Sequence, residues 1–399
     1  MNENRENWVL PQGFVAGGIY CGIKKSGKLD LGVIISTPPA LAFGSYTTNP
    51  FCAPSIDYCR KITESGQKVS HVLVNSGNAN ACTGERGSKD TLEIAERVKA
   101  SFGEVKEVLL SSTGIIGEYL PMPTLKKGVE ELAHQLKNLK SKTFAEAIMT
   151  TDTRTKTTEQ ELSFALGKVR VAGASKGSGM ICPNMATMLG YIMTDIQLEP
   201  SYLKSFQKYI KKSFNSISVD GDTSTNDTVI LLSNGQSGVC YDLLSSEEQK
   251  AFDKALENHF HSLAQQIVAD GEGATKLVEV RVKGCESDDQ AHELGKAISN
   301  SALIKTALFG NDPNWGRVLV TLGTHSKTIK PQMLDISFCG VPVFLKGSPL
   351  RFERETLIQK MSGKKLALEV NLNMGKGEWV CWTCDFSYDY VKINAEYHT

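Results

Sequence analysis

The sequence predicts a mixed α/β or α+β protein. Short apolar runs that are typical of strands alternate with segments whose apolar residues recur at helical spacing, and strands are enriched towards both ends. No internal repeat, low-complexity tract or long linker divides the 399 residues. A chain of this length can form two or three domain-sized units with a substantial core.

Charge and hydropathy argue against two classes of partner. Lys and Arg total 44 and Asp and Glu total 44, so the net charge is zero, and no electrostatic footprint for nucleic acid or an anionic membrane results. No apolar run approaches the roughly 20 residues of a membrane span. The first residues, M-N-E-N-R-E-N-W, lack the pattern of a signal peptide. We therefore expect a cytoplasmic protein that binds neither nucleic acid nor a membrane.

The ten cysteines and seven histidines are dispersed along the chain, and in a cytoplasmic protein such cysteines are typically buried free thiols. Cys381 and Cys384 form a C-x-x-C, but no second pair stands at a zinc-like spacing. The spaced acidic residues of 220–228 resemble a calcium loop, yet the terminal glutamate of that motif is missing. The sequence therefore predicts no metal site.

In the first half of the chain, apolar runs predict strands over 31–35, closed by Pro38 and Pro39, and over 69–74. The amide-rich segment 75–80 is either a set of Asx turns or the lining of a site. The other elements predicted here are a helix that starts at Ser88 and ends at Gly103, helices over 124–139 and 144–149, and strands over 105–110 and 167–172.

In the second half, a continuous apolar run predicts a buried strand over 188–193. A long helix over 246–268 is favoured by an acidic first turn, which suits the helix dipole. The segment 288–308 is one long helix or two helices broken near 299–300. The other elements predicted here are a helix over 202–214 and strands over 229–232, 276–282, 316–322, 334–338, 342–345, 365–372 and 377–386.

The chain is organised around the glycine-rich stretch 176–195, in which Thr187 leads into the strand at 188–193. Glycine lets the backbone take unusual angles and approach other groups closely. A phosphate loop is disfavoured, because the G-K-[ST] ending of a P-loop and the third glycine of a dinucleotide fingerprint are missing. A structural turn and a self-cleaving junction are the remaining interpretations.

In a self-cleaving junction, the Thr187 hydroxyl attacks the carbonyl of Ala186, the peptide becomes an ester, and water releases a chain that begins with Thr187. A threonine hydroxyl is a poor nucleophile without a base, and the new α-amino group can be that base. An α-amino group titrates near pH ~7.7–8.0, so a useful fraction is neutral at working pH. Because the base is tethered to the nucleophile, most of the orientation cost disappears.

The stretch that begins at Lys176 resembles the processing motif of the ornithine acetyltransferase family, also called bifunctional glutamate N-acetyltransferases, which reads approximately K-G-S-G-M-I-x-P-x-M-A-T-M-L. The resemblance covers nearly the whole chain, because further family motifs occur in the right order. These are V-N-S-G-N-A-N-A-C-T-G (74–84), S-S-T-G-I-I-G (111–117), M-T-T-D-T (149–153), D-G-D-T-S-T-N-D-T (220–228), G-E-G-A-T-K (271–276), G-N-D-P-N-W-G-R (310–317) and N-A-E-Y-H-T (394–399).

The resemblance implies layered mixed sheets flanked by helices, in an N-terminal-nucleophile-like, self-processing fold of the αββα type. It implies cleavage between Ala186 and Thr187, which would give an α chain, 1–186, and a β chain, 187–399. These chains would be intertwined rather than independent domains, and would assemble as a heterotetramer of two α and two β chains. No cofactor is implied.

The implied reaction is transfer of an acetyl group from N2-acetyl-L-ornithine to L-glutamate in arginine biosynthesis. An amide is a sluggish acyl donor, so a covalent route through an acetyl ester on Thr187 is sensible. Thr113 and Gly114 match the family's oxyanion pair, which would supply a hydroxyl and a backbone N–H. Without the resemblance, this Thr-Gly pair is better explained as the end of a strand.

Six positions match the substrate-binding residues of the family. Lys176 would hold the α-carboxylate, and Glu272 would pair with the side-chain ammonium of ornithine. The register of Thr150 against Thr151 is open. The full set is Thr150, Lys176, Thr187, Glu272, Asn394 and Thr399.

Two other functions compete with this interpretation. An amidase or aminopeptidase of related fold would use the same N-terminal nucleophile, with water as the acceptor instead of glutamate. A metabolite-binding protein that never cleaves would run as a single band on a denaturing gel. Acetyl-CoA is open as a further substrate, because family members that use it and those that do not share the same motifs.

Overall fold

The computed structural model describes residues 8–182 and 188–396. In these ranges the first of two sheets has eight strands. In sheet order, with β1 (Phe14–Ile19) attached to β2, the strands are β4 (Glu107–Ile115), β3 (Val69–Asn78), β2 (Leu31–Tyr46), β9 (Thr228–Ser233), β7 (Leu189–Thr194), β6 (Gly167–Lys176) and β5 (Lys156–Phe164). The pairs β3–β4 and β7–β9 are parallel and the other neighbours are antiparallel.

Strand β2 does not end before Pro38 and Pro39, so this part of the prediction is wrong. It pairs with β3 up to Ile35, the register shifts before Ala40, and the second half of β2 then pairs with β9. Proline cannot donate a ladder hydrogen bond, and strands tolerate it at such irregularities. The two prolines therefore mark the point where β2 changes partners.

The second sheet has seven strands in the described residues, all of them after residue 188. The strands predicted near 334–338, 342–345, 365–372 and 377–386 all lie in it. In sheet order its strands are β13 (Ser348–Pro349), β12 (Val341–Leu345), β11 (Asp335–Phe338), β14 (Lys365–Asn371), β10 (Leu277–Cys285), β15 (Gly377–Cys384) and β8 (Ile217–Ser218).

Helices lie between the strands along both halves of the chain. Ser245 and Glu248 form a capping box at the start of the long helix predicted near 246–268. Of the two alternatives for 288–308, the structure has two separate helices, which meet at Ser301. Across the described residues, no helix has the length and apolar character that crossing a membrane requires. The helices are α1 (Pro54–Ser65), α2 (Gly84–Phe102), α3 (Met122–Gln135), α4 (Ser141–Ala147), α5 (Leu203–Lys212), α6 (Ser246–Ala269), α7 (Asp288–Asn300), α8 (Ala302–Phe309), α9 (Trp315–His325), α10 (Arg354–Met361) and α11 (Tyr388–Glu396).

The strand predicted over 316–322 is wrong, since these residues lie in helix α9. The side chain of Asn314 caps the first turn of the helix. Val318 and Leu322, four residues apart, are buried, whereas Val320 is 65% exposed. A short apolar run fits a strand or a helix equally well, and here packing against the second sheet favours the helix.

Among the residues that the structure describes, three hydrophobic cores separate the layers. The first lies between the first sheet and α1–α4, the second between that sheet and α5 and α6, and the third between the second sheet and α7–α10. Helix α6 packs on β5 and β6 and also on β15, so it lies between the two sheets. The predicted mixed fold of layered sheets flanked by helices is confirmed, and α6 adds a helical layer inside the stack.

Strand ends from distant parts of the chain converge at one place. The side-chain amide of Asn226, just before β9, donates to the carbonyls of Ala79 and Ser112 at 2.6 and 2.9 Å. These bonds join the start of β9 to the ends of β3 and β4. Because Leu189 pairs with Thr228, β7 starts at the same edge, and the antiparallel β6 ends there.

Candidate active site

The converging strand ends enclose a cavity of about 200 Å³. This volume is below the roughly 300–1,000 Å³ of pockets for drug-sized ligands, so it suits a small molecule. The other predicted site residues, Ala186, Thr187 and Thr399, lie outside the described residues. The predicted residues that line the cavity are Thr113, Gly114, Thr150, Lys176, Glu272 and Asn394.

Lys176 ends β6 and is buried in the cavity wall. Its ammonium donates to Thr150 Oγ1 at 2.8 Å and to Thr113 Oγ1 at 3.1 Å. An ammonium has three N–H donors, and the described residues engage two of them, so the third can serve a bound anion. Burial lowers the pKa of Lys176, while the nearby Asp152 carboxylate raises it. Thr151 also lines the cavity, so the choice of Thr150 rests on its bond to Lys176.

The Thr113–Gly114 pair lies at the end of β4, beside β3. Gly114 has a φ of +134°, and a Cβ there would lie 2.3 Å from the backbone carbon of Gly77, so other residues are excluded. The Thr113 oxygen accepts an N–H from Lys176, which leaves its own O–H to donate. The pair can therefore offer a hydroxyl to a group bound in the cavity.

A buried ion network supports this wall, although no sequence motif pointed to it. The fully buried ammonium of Lys156 donates to Asp152 and Asp270, at 2.5 Å each. Asp152 also accepts the backbone N–H groups of Thr150 and Gly177 at 2.9 and 2.7 Å. Burial would raise the pKa of Asp152, but the two nearby lysines lower it to about 2. The network thus fixes the backbone of Gly177, next to the cavity lysine, and of Thr150, which accepts a hydrogen bond from that lysine.

Glu272 follows α6 and is 8% exposed. Its Oε2 accepts the side-chain amide of Asn394 at 3.0 Å, and its backbone N–H donates to the carbonyl of Ser178 at 2.9 Å. A Cβ at Gly179 would lie 2.4 Å from the Glu272 carboxyl. The second glycine of the K-G-S-G motif therefore provides the space for this carboxylate.

Three aspartates of the polar stretch 220–228, Asp220, Asp222 and Asp227, also line the cavity, and the sequence interpretation assigned none of them a role. Asp220 accepts the backbone N–H groups of Met180 and Ile181 at 2.5 and 2.8 Å, so it anchors the glycine-rich stretch. Asp227 is buried directly before β9. Within the described ranges, no cluster of three His, Cys, Asp or Glu side chains could hold a metal ion. Asp227 could have been found from its position directly before β9, whereas Asp220 follows the end of the short strand β8.

The described lining of the cavity carries one lysine and four acidic side chains, Asp220, Asp222, Asp227 and Glu272. Such a lining suits a small molecule that carries both a carboxylate and an ammonium. The fold and the cavity therefore define an α/β enzyme with a small charged pocket. A family model described as the ArgJ family matches residues 15–399.

Relatives confirm this assignment over almost the whole chain. The arginine biosynthesis bifunctional protein ArgJ of Bacillus licheniformis is 42% identical over 391 residues, which cover 98% of this chain and 96% of that protein. Its counterpart of the same name in Staphylococcus epidermidis is 40% identical over 401 residues and covers 100% of both chains. This chain therefore belongs to the ArgJ family, and the family predicted from the motifs is confirmed.

Solved structures of two related proteins match parts of the chain. The structure of the arginine biosynthesis bifunctional protein ArgJ from Bacillus halodurans is 36% identical and covers 51% of this chain and 96% of that chain, with a TM-score of 0.48. The ornithine acetyltransferase of Mycobacterium tuberculosis, solved in complex with ornithine, is 35% identical. It covers 44% of this chain and 93% of that chain, with a TM-score of 0.38.

Proposed function

We propose that this chain, as an ArgJ-family enzyme of arginine biosynthesis, transfers the acetyl group of N2-acetyl-L-ornithine to L-glutamate. The observation that carries the proposal is the convergence of Lys176, Glu272 and the Thr113–Gly114 pair on one small cavity. Together they supply a cation for a carboxylate, an anion for an ammonium, and donors for an oxyanion.

The acetyl group would travel through an ester on Thr187, as the first residue of the chain 187–399. The α-amino group of Thr187 takes the proton of its own hydroxyl, and the oxygen attacks the acetyl carbonyl. The C–N bond of the donor then breaks, and the same proton passes to the departing α-nitrogen of ornithine. In the second half-reaction, the amine of glutamate attacks the ester and restores the hydroxyl.

The oxyanion of each tetrahedral intermediate would be held by the Thr113 hydroxyl and the Gly114 backbone N–H. Because Lys176 donates to Thr113 Oγ1, the hydroxyl hydrogen is directed away from the ammonium. Donors that are already in place need no rearrangement as charge develops, and this preorganisation is a main source of catalysis.

Substrate recognition would use two of the charged side chains of the cavity, Lys176 and Glu272. Both substrates carry an α-carboxylate, which would accept the third N–H of Lys176 beside Thr150. Glu272, oriented by Asn394, would pair with the side-chain ammonium of the donor. The same carboxylate repels the side-chain carboxylate of glutamate, so the acceptor must direct that group elsewhere. Thr399 is proposed as a further substrate contact from the family motif.

Self-cleavage between Ala186 and Thr187 is supported by family membership and by the M-A-T-M motif after the glycine-rich stretch. The α chain, 1–186, and the β chain, 187–399, would share the first sheet, because β2 and β9 pair with each other. We further propose a cytoplasmic heterotetramer of two α and two β chains, without a cofactor. Acetyl-CoA is a candidate second donor.

Assays of donor, acceptor and chain integrity test the proposal together. Formation of N-acetylglutamate should require both N-acetylornithine and glutamate, and Thr187→Ala should remain one chain and be inactive. Thr187→Ser, which keeps a hydroxyl, is the matched control and should retain part of both activities. Acetate release without N-acetylglutamate would favour the amidase or aminopeptidase alternative. A parallel assay with acetyl-CoA tests the second donor.

A further inference from the structure

One buried side-chain amide at the cavity has no role in the acetyl transfer described above. Asn226 lines the cavity and is 5% exposed. It belongs to the polar stretch 220–228, which matches a motif of the family but supplies no residue to the proposed reaction. The hydrogen bonds that Asn226 makes indicate a function for it at the oxyanion pair.

The neighbours of Asn226 fix the orientation of its amide. Its Nδ2 faces the backbone carbonyls of Ala79 and Ser112, at 2.6 and 2.9 Å. Carbonyl oxygens only accept hydrogen bonds, so the group that faces them must be the NH2 of the amide and not its oxygen. The oxygen, Oδ1, accepts the hydroxyl of Thr225 at 2.6 Å. Both N–H groups of the amide are therefore engaged, one with each carbonyl.

These two bonds close a ring around the Thr113–Gly114 pair. Ser112, whose carbonyl Asn226 holds, directly precedes the pair. Ile115 directly follows it, and the Ile115 carbonyl accepts the backbone N–H of Ala79 at 2.9 Å. The carbonyl of Ala79 in turn accepts the other N–H of Asn226. One side chain thus holds both ends of the dipeptide, directly before it and through Ala79 after it.

The pair needs support beyond the strand ladder. Gly114 has a φ of +134°, which glycine adopts freely and, for the same reason, leaves freely. The pairing of β3 with β4 also shifts register at Gly77 and Asn78, opposite the pair. A misplacement of about 1 Å can cost about 10²-fold in rate. Oxyanion donors on such a flexible and irregular strand end therefore require fixing from outside the strand.

The bonds of Asn226 cross the proposed cleavage point. Its two carbonyl partners lie in the proposed chain 1–186, whereas Asn226 lies in the chain 187–399. The segment around Asn226 is itself anchored, because the carbonyls of Thr225 and Asp227 accept the backbone N–H groups of Ala53 and Thr47 at 3.0 and 2.9 Å. The two proposed chains would therefore build the oxyanion site together.

We propose that Asn226 is the positioning residue of the oxyanion pair, an inference that rests on the proposed function of Thr113 and Gly114. Its amide does not bind the oxyanion, because both N–H groups are engaged with carbonyls. It holds the peptide units on either side of the pair, so that the Thr113 hydroxyl and the Gly114 N–H stay directed at the developing charge. Loss of these bonds should weaken transition-state stabilisation and leave binding of the charged substrate groups in place.

The test compares kcat and KM of cleaved wild type and cleaved Asn226→Asp, with N-acetylornithine and glutamate as substrates. Aspartate keeps the size of the side chain but replaces the NH2 group with an oxygen. The kcat should fall by about 10–10²-fold while the KM values change little.

A second readout is the same substitution in the Thr113→Ala background. If Asn226 acts through the pair, the two substitutions are not additive, because part of what Asn226 positions is already missing. Asn226→Asp should then reduce kcat by a distinctly smaller factor in Thr113→Ala than in wild type. A merely structural role of Asn226 would give the same factor in both backgrounds.

Asn234→Asp is the matched control. Asn234 directly follows β9, at the end opposite to Asn226, and is 8% exposed. Its side-chain amide also joins the two proposed chains, since it donates to the carbonyl of Gln12 at 2.9 Å. The substitution removes a comparable bond at the other end of the same strand, so kcat should stay at the wild-type value.

Three kinetic outcomes overturn the inference. They are an unchanged kcat in Asn226→Asp, the same loss in the wild-type and Thr113→Ala backgrounds, and an equal loss in Asn234→Asp, which would indicate general loosening between the chains. If circular dichroism shows that Asn226→Asp is misfolded, Asn226→Ala is judged by the same criteria.

Chain cleavage is followed on a denaturing gel. A folded Asn226→Asp protein that stays as one chain supports the inference if Thr113→Ala does so too, and overturns it if Thr113→Ala is cleaved. Failure of the proposed function is recognised separately, without any Asn226 variant. Its signs are wild-type protein that forms no N-acetylglutamate, or a Thr113→Ala protein with wild-type kcat.

Discussion

The two charged sides of the cavity are built differently. Lys176 rests on a buried ionic network, in which Asp152 and Lys156 join it to the first sheet. Glu272 lies in a short segment after α6, and the side chain that orients it, Asn394, belongs to a helix without buried residues. One side is therefore set by buried groups of the core, whereas on the other side a buried carboxylate is oriented by a surface helix.

This difference matches the proposed chemistry. Both substrates present the same α-carboxylate, whereas the side-chain end changes from an ammonium to a carboxylate between the half-reactions. A fixed site suits the common group. The side that must release ornithine and admit glutamate lies on elements with fewer buried contacts, which open at lower free-energy cost. Three substitutions and one pH profile, each with a control, probe this division of labour.

The largest expected effect comes from breaking the buried side. Lys156→Met leaves the carboxylates of Asp152 and Asp270 buried without their cation, and removing one partner of a buried ion pair typically costs about 3–5 kcal/mol. Urea unfolding in the Thr187→Ala background measures the loss, because each variant then unfolds as a single chain.

The control for this substitution is Lys168→Met. Lys168 pairs with Glu161 at 2.8 Å, but its side chain is 69% exposed. Exposed pairs contribute about 0–1 kcal/mol, so the free energy of unfolding should change little. Equal losses in the free energy of unfolding of the two variants would show that the buried network stabilises the protein no more than an exposed pair does.

Thr113→Ala tests the donor that Lys176 orients. If the Thr113 hydroxyl holds the oxyanion, kcat should fall by about 10²–10³-fold while the KM values change little, because the bond is made mainly in the transition state. Thr113→Ser keeps the hydroxyl and should recover most of the loss. A raised KM with an unchanged kcat would instead assign Thr113 to binding of the ground state.

Binding of the substrate α-carboxylate by Lys176 should weaken at alkaline pH. Burial lowers the pKa of Lys176, which Asp152, Asp227 and Glu272 raise and Lys156 lowers. Below this pKa the ammonium is charged, and as pH rises through it the charge is lost. Loss of a charge-assisted bond, worth about 1.5–3 kcal/mol, should raise the donor KM roughly 10- to 150-fold.

The check is the pH dependence of acetyl-enzyme formation at varied N-acetylornithine concentrations. Lys176→Arg is the control, since a guanidinium keeps its charge throughout this range. Its KM should stay flat with pH, even if its absolute value is higher. The same rise in both proteins would place the titrating group elsewhere.

The smallest expected effect comes from Glu272, on the side of the cavity that Asn394 orients. Glu272→Gln keeps the shape but replaces a charge-assisted bond with a neutral one, which should cost on the order of 1–2 kcal/mol, or roughly five- to thirty-fold in kcat/KM. The loss should fall on acetyl-enzyme formation from N-acetylornithine more than on discharge by glutamate. Lys176→Met, as the comparison, should weaken both half-reactions. Equal damage by Glu272→Gln would mean that its charge acts on a group common to both substrates.

The sequence located the cavity well because its motifs stand at the ends of regular elements. Thr113 and Gly114 close β4, Lys176 closes β6 and Glu272 follows α6. Apolar runs mark these boundaries in the sequence, and family resemblance selected the polar residues at them. Their common lining of one cavity agrees with that selection, while their individual roles stay predictions.

The features that escaped prediction depend on distant partners. Lys156 reads as an ordinary strand lysine, because its partner Asp270 lies 114 residues later. The run 316–322 fits either type of element until the second sheet is present to pack against it. The passage of β2 through Pro38 and Pro39 is likewise intelligible only once its change of partner strand is known.

The most direct test of covalent acetyl transfer is the mass of the chain 187–399 during the reaction. Mixing with N-acetylornithine alone should add the mass of one acetyl group to this chain, on Thr187, while the chain 1–186 stays unmodified. Addition of glutamate should remove the acetyl group and yield an equal amount of N-acetylglutamate. Formation of N-acetylglutamate without any acetylated 187–399 chain at early times would contradict the account.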